Sequence, residues 1–291
     1  MGSIRKSMLT LIRSKVAISS KGLIDARTDL PSPKYKDQRT CVDAVSYQIP
    51  AGKTAWYPPP MVGAQALGQQ VLGSTASYVE KARDLLKQLT RDDYAEYLLG
   101  FYREGLKRYR EEWRYADIIT VLLALTEHLG PQCYLEVGVR RGRSVCAVAS
   151  LAPSCELALF DMWIGNYAGM DNPGPELVRH ELAKVGHRGN CEFIDGNSHD
   201  TLPRYFAQHS DAVFDLITVD GDHSSLGAAQ DLCDVLPYLA VGGAIVFDDI
   251  GHPRTPELRE VWRRIVADDP RFSSWAFDEV GYGVAFAIRK W

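Results

Sequence analysis

The chain has 291 residues, 46% hydrophobic and 24% charged, enough for one large domain or one domain with an appendage, and disorder throughout is excluded. A net charge of −4 offers no field for a phosphate backbone, so a nucleic-acid partner has no support, and no apolar run approaches the roughly 18 residues that would make a transmembrane segment. Six scattered cysteines without a C-x-x-C pair fit buried thiols in a reducing, cytoplasmic compartment better than a disulfide or zinc framework.

In chain order, residues 1–40 come first with nine Lys/Arg against three Asp, a net +6 that leaves −10 for the remainder. Within them Ser3–Ile24 sets Ile4, Met8, Leu11, Ile12 and Val16 at helical spacing among basic residues. An arm that packs on its own domain, or on a neighbouring subunit in a homo-oligomer, is a simpler reading than a membrane-surface helix or a transit peptide. Residues 28–65, with Tyr57-Pro58-Pro59-Pro60, read as an extended segment. Apolar recurrence at three and four predicts helices over Ser77–Leu89, Asp92–Tyr109 and Trp113–Leu129. Residues 1–112 are thus expected to form an arm and a helical lid serving substrate choice or oligomerisation, ahead of a domain over 113–291.

From residue 132 short apolar runs alternate with amphipathic stretches, the pattern of β-α-β units. Strands are predicted at Cys133–Val137, Glu156–Phe160, Cys191–Ile194, Phe214–Val219 and Ala244–Phe247. Helices are expected between them at Arg143–Leu151, Glu176–Val185, Asp200–Gln208 and Leu226–Leu239. A further helix, Thr255–Asp268, is expected to start with Thr255 as cap and Pro256 at its first position. Two last strands, Ser273–Glu279 and Gly283–Arg289, are joined through glycines and should be antiparallel neighbours. The fold class is therefore α/β, a Rossmann-like seven-stranded sheet of five parallel strands plus a C-terminal antiparallel hairpin, with a helical N-terminal extension.

The first strand runs into Glu136-Val-Gly138-Val-Arg140-Arg-Gly142-Arg-Ser144. Gly138 and Gly142 let the backbone turn tightly against a ligand, but a dinucleotide loop would read G-x-G-x-x-G, and Glu136 stands where its first glycine belongs. A carboxylate there opposes a pyrophosphate and favours S-adenosylmethionine, which brings an ammonium and a sulfonium. Asp161 ends the second strand, twenty-three residues after Gly138, where a carboxylate can accept both ribose hydroxyls; the alternative is a helix cap. Asn197 and Ser198 after the third strand could reach the adenine edge, although both are ordinary turn residues. In the aromatic loop after Asp161, Met162 and Trp163 are placed beside the cofactor, with Trp163 stacking near adenine and Tyr167 lining an acceptor site; a plain surface loop is the rival reading.

Glu136-x-Gly138-x-x-x-Gly142, Asp161, Gly196-Asn197-Ser198 and Asp220-Gly221-Asp222-His223 together resemble the class I S-adenosylmethionine-dependent methyltransferases. Within them the resemblance is to the small-molecule O-methyltransferase branch that includes macrocin O-methyltransferase and cephalosporin-hydroxylase-type proteins, over roughly residues 113–291. It implies a hydroxyl acceptor on a polyhydroxylated small molecule, with a sugar of a natural product or glycan favoured.

Asp220 ends the fourth strand and Asp248-Asp249 the fifth, so all three acids are expected at one edge of the crevice outside the strand carboxyl ends. Asp220 is also counted among the cofactor-binding residues. Three carboxylates without cysteine make a hard site for Mg²⁺, Mn²⁺ or Ca²⁺, and a divalent cation removes their mutual repulsion. The resemblance points the same way, since metal-dependent catechol-type O-methyltransferases carry acids at these strand ends. They carry a lysine base where this chain has His223. His223 is the expected general base and His252 its rival. Competing readings are a metal-independent N- or C-methyltransferase and a non-catalytic cofactor-binding subunit.

Overall fold

The computed structural model describes residues 30–35, 63–73, 75–166 and 171–291; the expected arm helix over Ser3–Ile24, with any oligomer contact it makes, and Tyr167 lie outside the described residues. Strands β1 (Cys133–Val137), β2 (Glu156–Asp161), β3 (Cys191–Asp195), β4 (Phe214–Val219), β5 (Leu239–Asp248), β6 (Phe272–Phe277) and β7 (Val284–Arg289) form one sheet in the order β3-β2-β1-β4-β5-β7-β6. β1 to β5 are parallel, and β7 is antiparallel to both β5 and β6. The chain steps outward from β1 to β3 and returns to β4 on the other side of β1. That reversal opens a crevice at the carboxyl ends of β1 and β4.

The helices among the described residues are α1 (Ala64–Gly73), α2 (Thr75–Gln88), α3 (Asp93–Tyr109), α4 (Ile118–Leu129), α5 (Arg143–Leu151), α6 (Pro175–Lys184), α7 (Ser198–Gln208), α8 (Ser225–Val235) and α9 (Glu257–Trp262). Alternation along the strands gives the sheet two buried faces. Tyr134, Leu157, Leu159, Leu216, Val246 and Phe286 join one core with Leu67, Leu86, Tyr102, Leu122 and Val148 of the helices. Leu135, Val137, Ile217, Val219 and Ile245 are buried on the opposite side. The helices before residue 113 therefore share a core with the sheet. Pro31–Trp291 form one compact unit.

Three of the boundaries that differ from the sequence expectation do so for clear local reasons. α4 begins at Ile118, not Trp113, because the Asp117 carboxylate accepts from Thr120 N at 2.9 Å while the Thr120 hydroxyl returns to Asp117 N, closing a capping box. β5 begins at Leu239, five residues before Ala244. Gly242-Gly243 break its apolar pattern, and a side chain at 243 would come within 2.6 Å of the Asp215 carbonyl. Thr255 does not cap α9: its hydroxyl is buried with no partner among the described residues, Pro256 takes the cap position, and the helix runs on from Trp262 into a π-helical turn, Arg263–Ala267. The described cysteines 133, 146, 155, 191 and 233 are free thiols. Among the described residues no helix is long and apolar enough to cross a membrane.

Candidate active site

The turn after β1 is shaped by what it touches. Gly138 has φ +90°, and a Cβ there would lie 1.9 Å from the Asp220 carbonyl oxygen, so only glycine lets the ends of β1 and β4 approach this closely. Gly142, at φ +74°, starts α5 in the left-handed region. Between them Arg140 adopts φ +52° and its N–H donates to Asp161 Oδ2 at 2.7 Å; Trp163, at φ +50°, donates its backbone N–H to Asp161 Oδ1 at 2.6 Å. Asp161 thus ties the loops after β1 and β2 together through two N–H groups held in a strained conformation. Such strain persists where the surroundings over-determine it, commonly at ligand sites.

Glu136 lies on the same strand face as Tyr134 and is completely buried. The Ser144 hydroxyl donates to one carboxyl oxygen. The Tyr134 hydroxyl stands 2.9 Å from the other and 2.8 Å from Thr218 Oγ1, donating to one and accepting from the other. Burial pushes the carboxyl up to about 8 despite these bonds. The carboxyl is therefore enclosed beneath the loop and keeps its proton near neutral pH, so it displays no charge to a ligand on the turn.

The remaining expected cofactor residues divide. Asn197 caps α7, accepting from His199 N at 3.1 Å, and Ser198 bonds the buried Asp231, whose pKa burial raises to about 6. Both side chains are used within the protein. Met162 is half exposed; Trp163 packs against Phe193, ring centroids 6.1 Å apart, with its indole N–H buried and unpartnered among the described residues.

At the ends of β4 and β5, one ligand atom each from Asp220, His223 and Asp249 falls within 4.8 Å of the others. His223 Nε2 is 3.0 Å from Asp249 Oδ2 and 3.5 Å from Asp220 Oδ1. The two carboxylates, Asp220 foremost, push the imidazole up to about 11, so in the cation-free protein it is an imidazolium balancing two acids. Its Nδ1 is buried and has no partner among the described residues. Asp249 holds φ +60°, a third strained residue at a strand end. Asp248, expected beside these two acids, is outside the three-residue cluster. Burial and the neighbouring Asp220 and Asp249 raise its pKa well above the carboxylate range, and Asp117 acts on it from the helical side. His252 also lies outside: its Nδ1 accepts from Arg254 N at 3.1 Å, its ring tilts against Tyr282 at 4.3 Å, and burial lowers its pKa.

The structure adds a wall that the sequence did not reveal. Asp92 caps α3, accepting from Ala95 N at 2.8 Å, and its second oxygen binds Arg143 and, at 3.1 Å, Arg141 of the glycine turn. Asp117 accepts from the Tyr102 hydroxyl and, at 3.1 Å, from that of Tyr115. These partners lie up to 51 residues apart, and no local spacing signals them.

Residues 135–250 match the family model described as a methyltransferase domain. Among solved structures the chain is similar to the calicheamicin methyltransferase CalS11, with 20% identity over 73% of this chain and 91% of that one and a TM-score of 0.48. It is similar to the O-methyltransferase TomG from Streptomyces achromogenes, with 19% identity over 70% and 92% and a TM-score of 0.49. It is also similar to an O-methyltransferase from Bacillus cereus, with 17% identity over 74% and 91% and a TM-score of 0.46. The chain therefore carries a methyltransferase domain, and the matched residues run from the glycine turn to the acidic pair.

Proposed function

We propose that the protein is an S-adenosylmethionine-dependent, divalent-cation-assisted O-methyltransferase acting on a hydroxyl of a polyhydroxylated small molecule, a sugar of a natural product or glycan. One observation carries this reading: the glycine turn and the Asp220–His223–Asp249 cluster meet in van der Waals contact through Gly138 and the Asp220 backbone. A group bound on the turn then lies beside one bound at the cluster.

The residues fit both groups. The unpartnered indole N–H of Trp163 and the fixed carboxylate of Asp161 are polar functions facing a methyl donor's adenosine end. Crowded acids whose pKa values are raised by burial and by one another form a hard, oxygen-rich donor set that a divalent cation stabilises. Asp220 and Asp249, with Asp248 adjoining, would hold it. The methyl donor supplies an electrophilic methyl group, and the cation lowers the pKa of an acceptor hydroxyl and of the neighbouring imidazolium. With the two carboxylates engaged by such a cation, His223 Nε2 would be released from Asp249 and would take the acceptor's proton, after which Asp220 and Asp249 would again balance the imidazolium. Gly138 and Gly142 keep the turn low, so no side chain of theirs would stand between a donor on the turn and an acceptor at the cluster.

The test is methyl transfer from labelled S-adenosylmethionine with Mg²⁺ and with EDTA, alongside calorimetry of S-adenosylhomocysteine binding. Turnover that EDTA removes and Mg²⁺ restores, at constant S-adenosylhomocysteine affinity, is the expected result. Turnover indifferent to EDTA points to metal-independent N- or C-methylation. Binding without turnover on any hydroxyl acceptor points to a cofactor-binding subunit.

A further inference from the structure

α3 carries a row of aromatic rings on one helical face. Tyr94, Tyr97 and Phe101 recur at i, i+3 and i+7, the spacing that stacks side chains along a stripe. Their rings follow one another at 6.5 and 6.4 Å between centroids, inclined by 25° and 21°. The inner end of the row is backed by Trp113 and Tyr115, 5.6 and 5.0 Å from Phe101. The outer rings stay open, with Tyr94 43% and Tyr97 53% exposed. Exposed aromatic surface that the fold does not bury marks a ligand groove when it adjoins a site.

The row adjoins the cleft at one end only. Asp92, one residue before α3, is bound to Arg141 and Arg143, and the Arg143 guanidinium lies 5.4 Å from the Tyr94 ring centre. Tyr94 lies where the charges of Asp117, Asp248 and Asp249 reach its hydroxyl. A phenol hydroxyl at the edge of the acidic cluster is placed for an oxygen of a bound molecule. From Tyr94 the row leads away along seven residues, about 10 Å of helix.

We infer that this row is the acceptor subsite, and that the acceptor is a glycoside of at least two rings. The methylated ring sits at Tyr94, whose hydroxyl donates to it, and the second ring lies on Tyr97 and Phe101. The inference rests on the O-methyltransferase reading above and adds the size and chemical class of the acceptor. Tyrosine suits this task because its face packs on the apolar side of a ring while its edge hydrogen-bonds the hydroxyls. A single free sugar would leave the outer part of the row in water.

The test uses the full chain with Mg²⁺ and S-adenosylmethionine. The probes are the methyl glycosides of glucose, galactose and rhamnose, each paired with its 4-nitrophenyl glycoside as the two-ring form. Within at least one pair the two-ring form is expected to show a KM at least tenfold lower. Tyr97→Ala should erase that ratio, and Tyr94→Phe should raise KM more than it lowers kcat. Tyr109→Ala, an equally exposed tyrosine at the far end of α3, should leave the ratio intact. Equal KM values within every wild-type pair, a ratio that survives Tyr97→Ala, or a change in solution mass with Tyr97→Ala overturns the inference. So does tight S-adenosylhomocysteine binding with no glycoside methylated, a result that leaves methyl transfer itself standing. Absence of S-adenosylhomocysteine binding strikes the underlying reading instead.

Discussion

At the end of β1 the carboxyl of Glu136 is closed off by two hydroxyls and the sheet, whereas at the ends of β4 and β5 the acids gather around one imidazole and remain partly open to the crevice. Burial raises the pKa in both places, but the hydrogen bonding differs. Glu136 has its partners within the fold and needs none from outside. Asp220 and Asp249 share an imidazolium that carries one charge between two acids, with Arg140 acting on Asp220 as well, and the proposed divalent cation rests on this crowding. Strand-end acids are thus told apart less by position than by how completely the protein itself satisfies them.

Breaking the open group should have the largest effect. Asp249→Asn keeps the shape and tolerates the left-handed backbone. It should lower kcat by about 10³-fold, or about 4 kcal/mol, while S-adenosylhomocysteine affinity stays at the wild-type value. Radiolabel transfer and calorimetry measure the two, and full activity in this variant would remove the acidic cluster from the chemistry.

The closed group gives the next effect, read as stability against pH. The Glu136 pKa is raised from 4.5 unfolded to about 8 folded, so between these values the native state keeps a proton that the unfolded chain has lost. Its favourable contribution is whole below about pH 4.5 and falls away as pH rises through about 8. The unfolding free energy from urea titrations without methyl donor should decline across that window by a few kcal/mol, and Glu136→Gln should flatten the decline. A decline of the same size in the variant assigns the proton to another group.

His223→Ala sharpens the comparison from the open side. A lost general base should lower kcat by about 10²-fold, most severely at low pH where fewer acceptor hydroxyls ionise unaided. A pH–rate profile parallel to wild type would instead give His223 a purely structural part. Ser144→Ala, on the closed side, should be mildest. It removes one bond to a buried carboxyl, at a cost of about 1–3 kcal/mol measurable by thermal melting, and it leaves Mg²⁺ dependence untouched.

The sheet and the strand-end residues were legible because strand periodicity and the glycine turn are local signals. Cys133–Val137 and Phe214–Val219 have the limits expected of them. Gly242-Gly243 hid the first half of β5, and Asp117, a cap four residues inside the expected helix, moved the start of α4. Thr255 looked like a cap, yet its hydroxyl caps nothing. Within the site, sequence could place Asp220, Asp248 and Asp249 at one edge but not say which of them His223 would draw together, since that depends on the turn at Asp249. The contribution of α3 was illegible because Asp92 meets its arginines only across the folded core.

Asp92 also sets a rule for engineering. One carboxylate both starts the helix on which the acceptor subsite is proposed and neutralises two arginines of the glycine turn. Grafting α3 from a relative to change acceptor preference would have to carry an acid at this position. A chimera without it would leave adjacent guanidinium groups uncompensated beneath the new helix and weaken the donor side that the exchange was meant to spare.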